Sequence, residues 1–228
     1  MSKILALDTS SEYCSVALYS NGNLSTQSEL APRSHTQLLL PMAKDIVERN
    51  GIELKDLDAI AFGCGPGSFT GLRIAAGVAQ GLAYGLGCSI FPISNLKAMA
   101  LQAYKQFGKK DVLVALDARM NEVYWSVCRV NISGRIATVE TYGVEHVSEP
   151  ELLFLPDTVQ GGSLVGIGSG FDFLERFPSN IQESVTCFDA TARPKADEIC
   201  ELALHEVEQG QAGRLADAMP SYIRDKVT

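Results

Sequence analysis

Two apolar runs that each end in aspartate, KILALD at Lys3–Asp8 and DVLVALD at Asp111–Asp117, constrain the fold of this chain most. Each leads into a second strand-like run, Tyr13–Tyr19 or Glu122–Val130, then a turn at Asn21-Gly22 or Ser133-Gly134, then a third run, Leu24–Leu30 or Arg135–Val144. One plan recurring at like offsets marks an internal duplication. In the first half Pro32 breaks the third run, and Ser34 is placed to cap a helix carrying Leu38, Leu39, Met42, Ile46 and Val47 on one side, with Pro41 inside it. Asp58–Phe62 follows as a strand, Gly63–Gly67 as a turn, then a glycine-rich helix to Gly87, strand Cys88–Ile93 and helix Ser94–Phe107.

The second half repeats this more weakly. Ser148-Glu149-Pro150-Glu151 reads as a capping box, and Ser163–Ile167 as a strand running into Gly166, Gly168 and Gly170. A short helix to Phe177, a last strand at Val185–Phe188, and a helix with Pro194 in its first turn reaching Gln209 complete it. The expected fold is α/β: two βββαβαβα halves, 1–107 and 108–228, each a mixed sheet covered by helices, with a ligand-sized cleft between them and the tail of the second half free to pack back on the first.

Composition narrows the function classes. The 228 residues carry a net charge of -8, which argues against free-standing nucleic-acid binding, because such affinity comes from Lys and Arg displacing counterions. Six cysteines scattered without a CxxC pair read as buried thiols of a reducing compartment. With no apolar run of membrane-spanning length, the expected location is the cytoplasm.

The stretch GCGPGSFTGLRIAAGVAQGLAYGLG, Gly63–Gly87, invites nucleotide templates, and each fails on a residue. A dinucleotide fingerprint needs glycine at Ser68 or Thr70, a Walker loop needs Lys where only Arg73 lies near, and a serine-hydrolase elbow needs Gly-x-Ser-x-Gly around Ser68. Ser68 therefore reads as a helix cap after a tight turn. His35, His146 and His205 form no His-x-x-x-His pair, so no metal ligand is assigned. Asp8, with Thr9 and Ser10 after it, and Asp117 are the candidates for a nucleotide or magnesium contact; the lack of glycine beside either favours a structural role. Gly77, Gly81 and Gly85 share one helix face at a cost of about 1 kcal/mol each. Their spacing fits close packing against the chain's own sheet or first helix, and equally an interface.

The segments ILALDTSSEYCSVAL, HTQLLLPM, GPGSFTGLRI followed by AQGLA, VALDARMNEVYW and PSYIRD stand in the order in which they occur in the TsaB (YeaZ-like) family, and the whole chain resembles that family. The resemblance implies an actin-like, Hsp70-like ATPase (RNase H-like) fold. It also implies a non-catalytic scaffold and activator of the paralogous catalytic subunit TsaD, which forms N6-threonylcarbamoyladenosine in tRNAs reading codons that start with A. TsaE, an ATPase, and a second copy of the chain are further implied partners, with tRNA reached through the complex. No cofactor of its own is implied, ATP or ADP belonging to the complex. The catalytic relatives carry a His-x-x-x-His metal pair where this chain has Asn95 and Met99, an amide and a thioether that substitute poorly for imidazoles. The implied interface comprises Leu38 and Met42 on the first helix and Ile74, Gly77, Val78, Gly81 and Gly85 on the second. Two other functions remain: an ATP-dependent phosphotransferase of the same fold, and a glycoprotease-like peptidase. Lys105, Lys109 and Lys110, and Arg214, Arg224 and Lys226, are the basic groups offered for tRNA contact, with solvated surface charge the plainer reading.

Overall fold

A computed structural model describes residues 2–224 except 160 and 212; Lys226 and the last residue of PSYIRD lie outside the described residues. The chain divides into two compact units, one running to Asn95 and including Pro194–Ser221, the other comprising Leu96–Arg193 and the chain from Tyr222. This division stands N-terminal to the Gly108 junction suggested by the sequence.

In the first unit, strands β1 (Ile4–Asp8), β2 (Tyr13–Ser20) and β3 (Asn23–Leu30) form an antiparallel meander. Asn21 and Gly22 both have positive φ, the conformation that a two-residue hairpin demands. Helix α1 (His35–Arg49) leads through a 3₁₀ turn to β4 (Ala59–Gly65), helix α2 (Phe69–Leu86) and β5 (Ser89–Ser94). The sheet order is β3-β2-β1-β4-β5, with β1, β4 and β5 parallel. The pleat sorts the side chains. Leu5, Leu7, Val16, Leu18, Ile60 and Phe62 form one core with residues of α1 and α2. Ala6, Ala17, Ala59 and Ala61 alternate with them and are fully buried on the other face.

Helix α3 (Asn95–Phe107) begins at the last residue of the first unit and continues in the second. There β6 (Asp111–Asp117), β7 (Val123–Ser133), β8 (Ile136–Thr141), β9 (His146–Ser148), β10 (Leu164–Ile167), α4 (Ser179–Ser184) and β11 (Val185–Asp189) follow. The sheet order is β11-β10-β6-β7-β8, with β9 paired to β7. This is the first sheet's order with each strand replaced by its counterpart, so the two halves share one topology. Helix α5 (Ala196–Glu208) belongs to the first unit, packed on the alanine face of its sheet: Ala196 N–H donates to Ser15 Oγ at 3.1 Å, and Cys200 Sγ stands 3.5 Å from the Ile4 carbonyl. Those alanines let the helix approach.

Several local expectations are corrected. Ser148 does not cap a helix; its Oγ accepts the Trp125 indole N–H at 3.0 Å and donates to Glu149 O, and Glu149 precedes the 3₁₀ turn Pro150–Leu152. The reason is Trp125, which is 2% exposed, stacks on His146 and needs a partner for its N–H. The third strand stops at Thr141, and β9 makes a separate pairing. The short helix expected up to Phe177 is present as a 3₁₀ helix, Ser169–Arg176. Ser34 takes the N-cap position of α1, yet its side chain makes no capping bond. Pro194 stands just before α5, outside its first turn. All six cysteines are free thiols, and among the described residues no helix is long and apolar enough to cross a membrane.

Leu7 is fully buried between neighbours on β1, β2 and β4. Leu7→Ala should lower the unfolding free energy by about 3 kcal/mol in urea titration; a loss within error of zero would contradict the packing described.

Candidate functional site

The Gly63–Gly71 segment is seated on the loop between β1 and β2. Ser68 N–H donates to Ser10 O at 2.7 Å, and Thr9 Oγ1 donates to Gly71 O at 2.7 Å. A Cβ at Gly67 would stand 2.7 Å from Ser10 O, and one at Gly71 would overlap Thr9 O. Backbone therefore rides on backbone, a closeness that glycine alone allows. Ser68 caps α2, its Oγ accepting Gly71 N–H at 3.3 Å, and Gly87 closes the helix in the left-handed conformation. The turn expected from the sequence is thus present, with its polar groups turned inward.

Thr9 and Ser10, offered as nucleotide contacts, are buried and spend their groups on this seating. Asp8 is 1% exposed; Ser10 N–H and Oγ–H donate to its Oδ1 at 3.1 and 3.0 Å, while Oδ2 has no partner. Burial pushes its carboxyl up to about 7, against the opposing pull of the Ser10 bonds. Asp117 is half-buried, and its Oδ1 accepts Arg119 N–H at 2.8 Å while the Arg119 guanidinium lies 3.5 Å from Oδ2. Each aspartate thus accepts an N–H from two residues further on, an Asx turn closing its strand.

Asn95 and Met99 are both fully buried. Asn95 Nδ2 donates to Pro66 O at 3.1 Å, and Met99 packs in the core. Among the described residues no three of His, Cys, Asp and Glu converge in a way that could hold a metal ion.

Helix α2 has two unlike faces. Leu72, Ala75, Ala76, Ala79 and Ala83 are buried, whereas Arg73, Gly77, Gly81, Tyr84 and Gly85 are exposed. A Cβ at Gly77, Gly81 or Gly85 would meet nothing within 4 Å among the described residues, so these three positions are open. Of the other residues offered for the interface, Ile74, Val78 and Leu38 are partly buried at the edge of the core. Met42, also offered for the interface, is 4% exposed and points inward with Leu39, Ala43 and Ile46, as the helical period requires. Sequence reasoning missed Tyr84, 79% exposed beside the glycines, and Arg73, whose guanidinium lies 3.5 Å over the Phe69 ring. The alanines at 75, 76, 79 and 83 were the available signal, because they fix which face is inner.

The tail, expected to pack back on the first half, is tied to it by Gln80 Nε2–H to Ala218 O at 2.6 Å and Ser221 N–H to Cys64 O at 2.7 Å. Of the basic groups considered for tRNA, Lys109, Lys110 and Arg214 are exposed and Lys105 is too, while Arg224 is engaged by Glu122 and by Ala118 O.

The two glycine sets should respond oppositely to alanine. Gly77→Ala should raise the stability of the chain by up to about 1 kcal/mol, a gain in helix propensity at an open position. Gly71→Ala should lower the melting temperature by several degrees, because its methyl group meets the Thr9 carbonyl. Equal effects in calorimetry would contradict the two environments.

The sequence profile of the family described as "TsaD: tRNA N6-adenosine threonylcarbamoyltransferase" matches residues 24–227. The tRNA threonylcarbamoyladenosine biosynthesis protein TsaB of Escherichia coli is 38% identical over 227 residues, covering 99% of this chain and 96% of that protein. Its namesake in Haemophilus influenzae is 40% identical over 229 residues, covering 99% and 94%. Among solved structures, YeaZ from Pseudomonas aeruginosa superposes with a TM-score of 0.89 at 40% identity, covering 97% of this chain and all of that one. Full-length identity at this level, on a shared fold of two like sheets, places the chain in the TsaB (YeaZ) family.

Proposed function

We propose that this chain acts as a non-catalytic scaffold and activator of a TsaD-type subunit in the formation of N6-threonylcarbamoyladenosine in tRNA. The observation that carries this reading is α2. Its turn consumes its own polar groups, while among the described residues nothing meets a Cβ at its outer glycines. Three glycines at an open helix face give up helix propensity without any internal contact in return. Close approach of a partner's helix is the compensation that such a face supports. The names of the TsaB relatives supply the pathway, and the TsaD description supplies the kind of partner.

On this reading a second copy of the chain competes with the TsaD-type subunit for α2, and a TsaE-type ATPase completes the assembly. ATP or ADP is bound by the complex and not by Asp8, whose carboxyl is closed in by Ser10. Transfer chemistry belongs to the partner, since the Asn95 and Met99 positions hold no imidazole. The location is cytoplasmic, where tRNA is modified.

Reconstitution tests this directly. Modified tRNA is measured with the TsaD-type subunit, TsaE and the adenylate-forming enzyme, with this chain present, omitted, or replaced by Gly81→Leu. Omission should nearly abolish modification, and Gly81→Leu should weaken association by about tenfold or more, equivalent to roughly 1.4 kcal/mol of interface energy. Equal modification with and without the chain would contradict the activator role.

A further inference from the structure

The buried oxygens of Asp8 and Asn95 present a donor problem whose solution assigns a role to Asp8. Asn95 is fully buried, and its amide orientation is set by chemistry: the Pro66 carbonyl can only accept, so Nδ2 must face it and does, at 3.1 Å. Asn95 Oδ1 is thereby turned the other way, where it has no donor. Asp8 Oδ2 is likewise buried without a donor. The two meet over Gly63: a Cβ built there would overlap both of them. Two acceptors brought together out of water cost several kcal/mol unless a proton or a cation lies between them.

We propose that Asp8 carries that proton, donating from Oδ2 to Asn95 Oδ1, and that this neutral pair is a latch fixing the Pro66 turn and hence the start of α2. The bonds then run without a gap. Ser10 donates to Asp8 Oδ1, Asp8 Oδ2–H donates to Asn95 Oδ1, and Asn95 Nδ2–H donates to Pro66 O. Asp8 is in this sense a positioning residue. The aspartate that closes the first strand holds a turn where a ligand-binding reading would have it hold a cation.

The surroundings favour the proton over a cation. Asp8 makes its hydrogen bonds to Ser10 alone, so no lysine or arginine is bonded to it. β4 presents Gly63, and α5 presents Ile199 beside it. Cys14 of β2, whose thiol burial and the Asp8 charge push up to about 12, is a neighbouring titratable group. α5 carries Asp197, the buried Glu198, Cys200, Glu201, Glu206, Glu208 and, in its last turn, His205; α3 carries Lys97 and Lys105, and α2 carries Arg73. Among the described residues no hydrogen bond or ion pair joins Asp8 to any of these bases, so none supplies the positive charge at contact that an ionised Asp8 would need. The carboxyl's rise from its ordinary 3.8 to about 7 agrees. Between those values the folded chain holds a proton that the unfolded chain has lost. The stabilisation is therefore full at low pH and is lost as pH rises through about 7.

The test uses the isolated full chain, so its outcome does not depend on any partner. Asp8→Asn is a neutral isostere whose amide can donate to Asn95 Oδ1 and accept from Ser10. Chemical denaturation of both proteins gives folding constants across the range from about pH 5 to 9. The ratio of variant to wild type should rise about tenfold per pH unit up to about pH 7 and level off above it. Infrared difference spectra, wild type minus Asp8→Asn, should show a protonated carboxyl band at pH 6 that fades by pH 8. A flat ratio, an Asp8→Asn chain less stable than wild type at pH 8 or unable to fold at pH 5, or no acid band in wild type at pH 6 would each overturn the proposal. The second of these would point to a bound cation.

Discussion

The seating of the Gly63–Gly71 segment on the β1–β2 loop is the constraint from which the rest of the first unit follows. At Gly63, Gly67 and Gly71 the space for a side chain is already taken, by Asp8 and Asn95, by Ser10 and by Thr9 respectively. With Ser68 and Gly71 bonded to Ser10 and Thr9, the N-terminus of α2 has one place to start. The helix then lays its alanines on β4 and turns Gly77, Gly81 and Gly85 outward. Two runs of glycine at a spacing of four thus do different work. The inner run is demanded by backbone contact, and the outer run faces open space among the described residues.

Duplication explains why the same aspartate turn closes the first strand of both units. Both halves end their first strand in aspartate, and both aspartates accept the N–H two residues on. The device is part of the fold. The halves then diverge: beside Gly63 the filling groups are the polar pair Asp8 and Asn95, whereas beside Gly166 they are the ring of Phe171 and the Cβ of Phe188. Family membership agrees with this picture. The family profile described as TsaD spans most of the chain, and Asn95 and Met99 complete a turn and a core.

Most of the strand plan was legible because hairpin turns and alternating apolar runs are local signals, as at Asn21-Gly22 and in ILALD. What was not legible depends on contacts distant in sequence. The pattern of Ala196–Glu208 announces a helix, but only Ala6, Ala17, Ala59 and Ala61 reveal which sheet receives it, and they matter only once β1, β2 and β4 are neighbours. Ser148 has the spacing of a cap, yet the indole of Trp125, on β7, competes for it and wins. Met42 and Leu38 lie on one helix, and the inward tilt of the first separates them. The Asp8–Asn95 pairing joins positions far apart in the chain and could be seen only after β1 and β4 were adjacent.

The central claim is that the outer face of α2 receives a partner. Thiol labelling of Tyr84→Cys, with the exposed native Cys187 as internal reference, measures this at the face itself. Addition of the TsaD-type subunit should slow labelling at position 84 by about tenfold or more while Cys187 continues at its own rate, the protection expected of a residue enclosed in a stable interface. Unchanged labelling at position 84 in a complex shown to have formed would contradict the account.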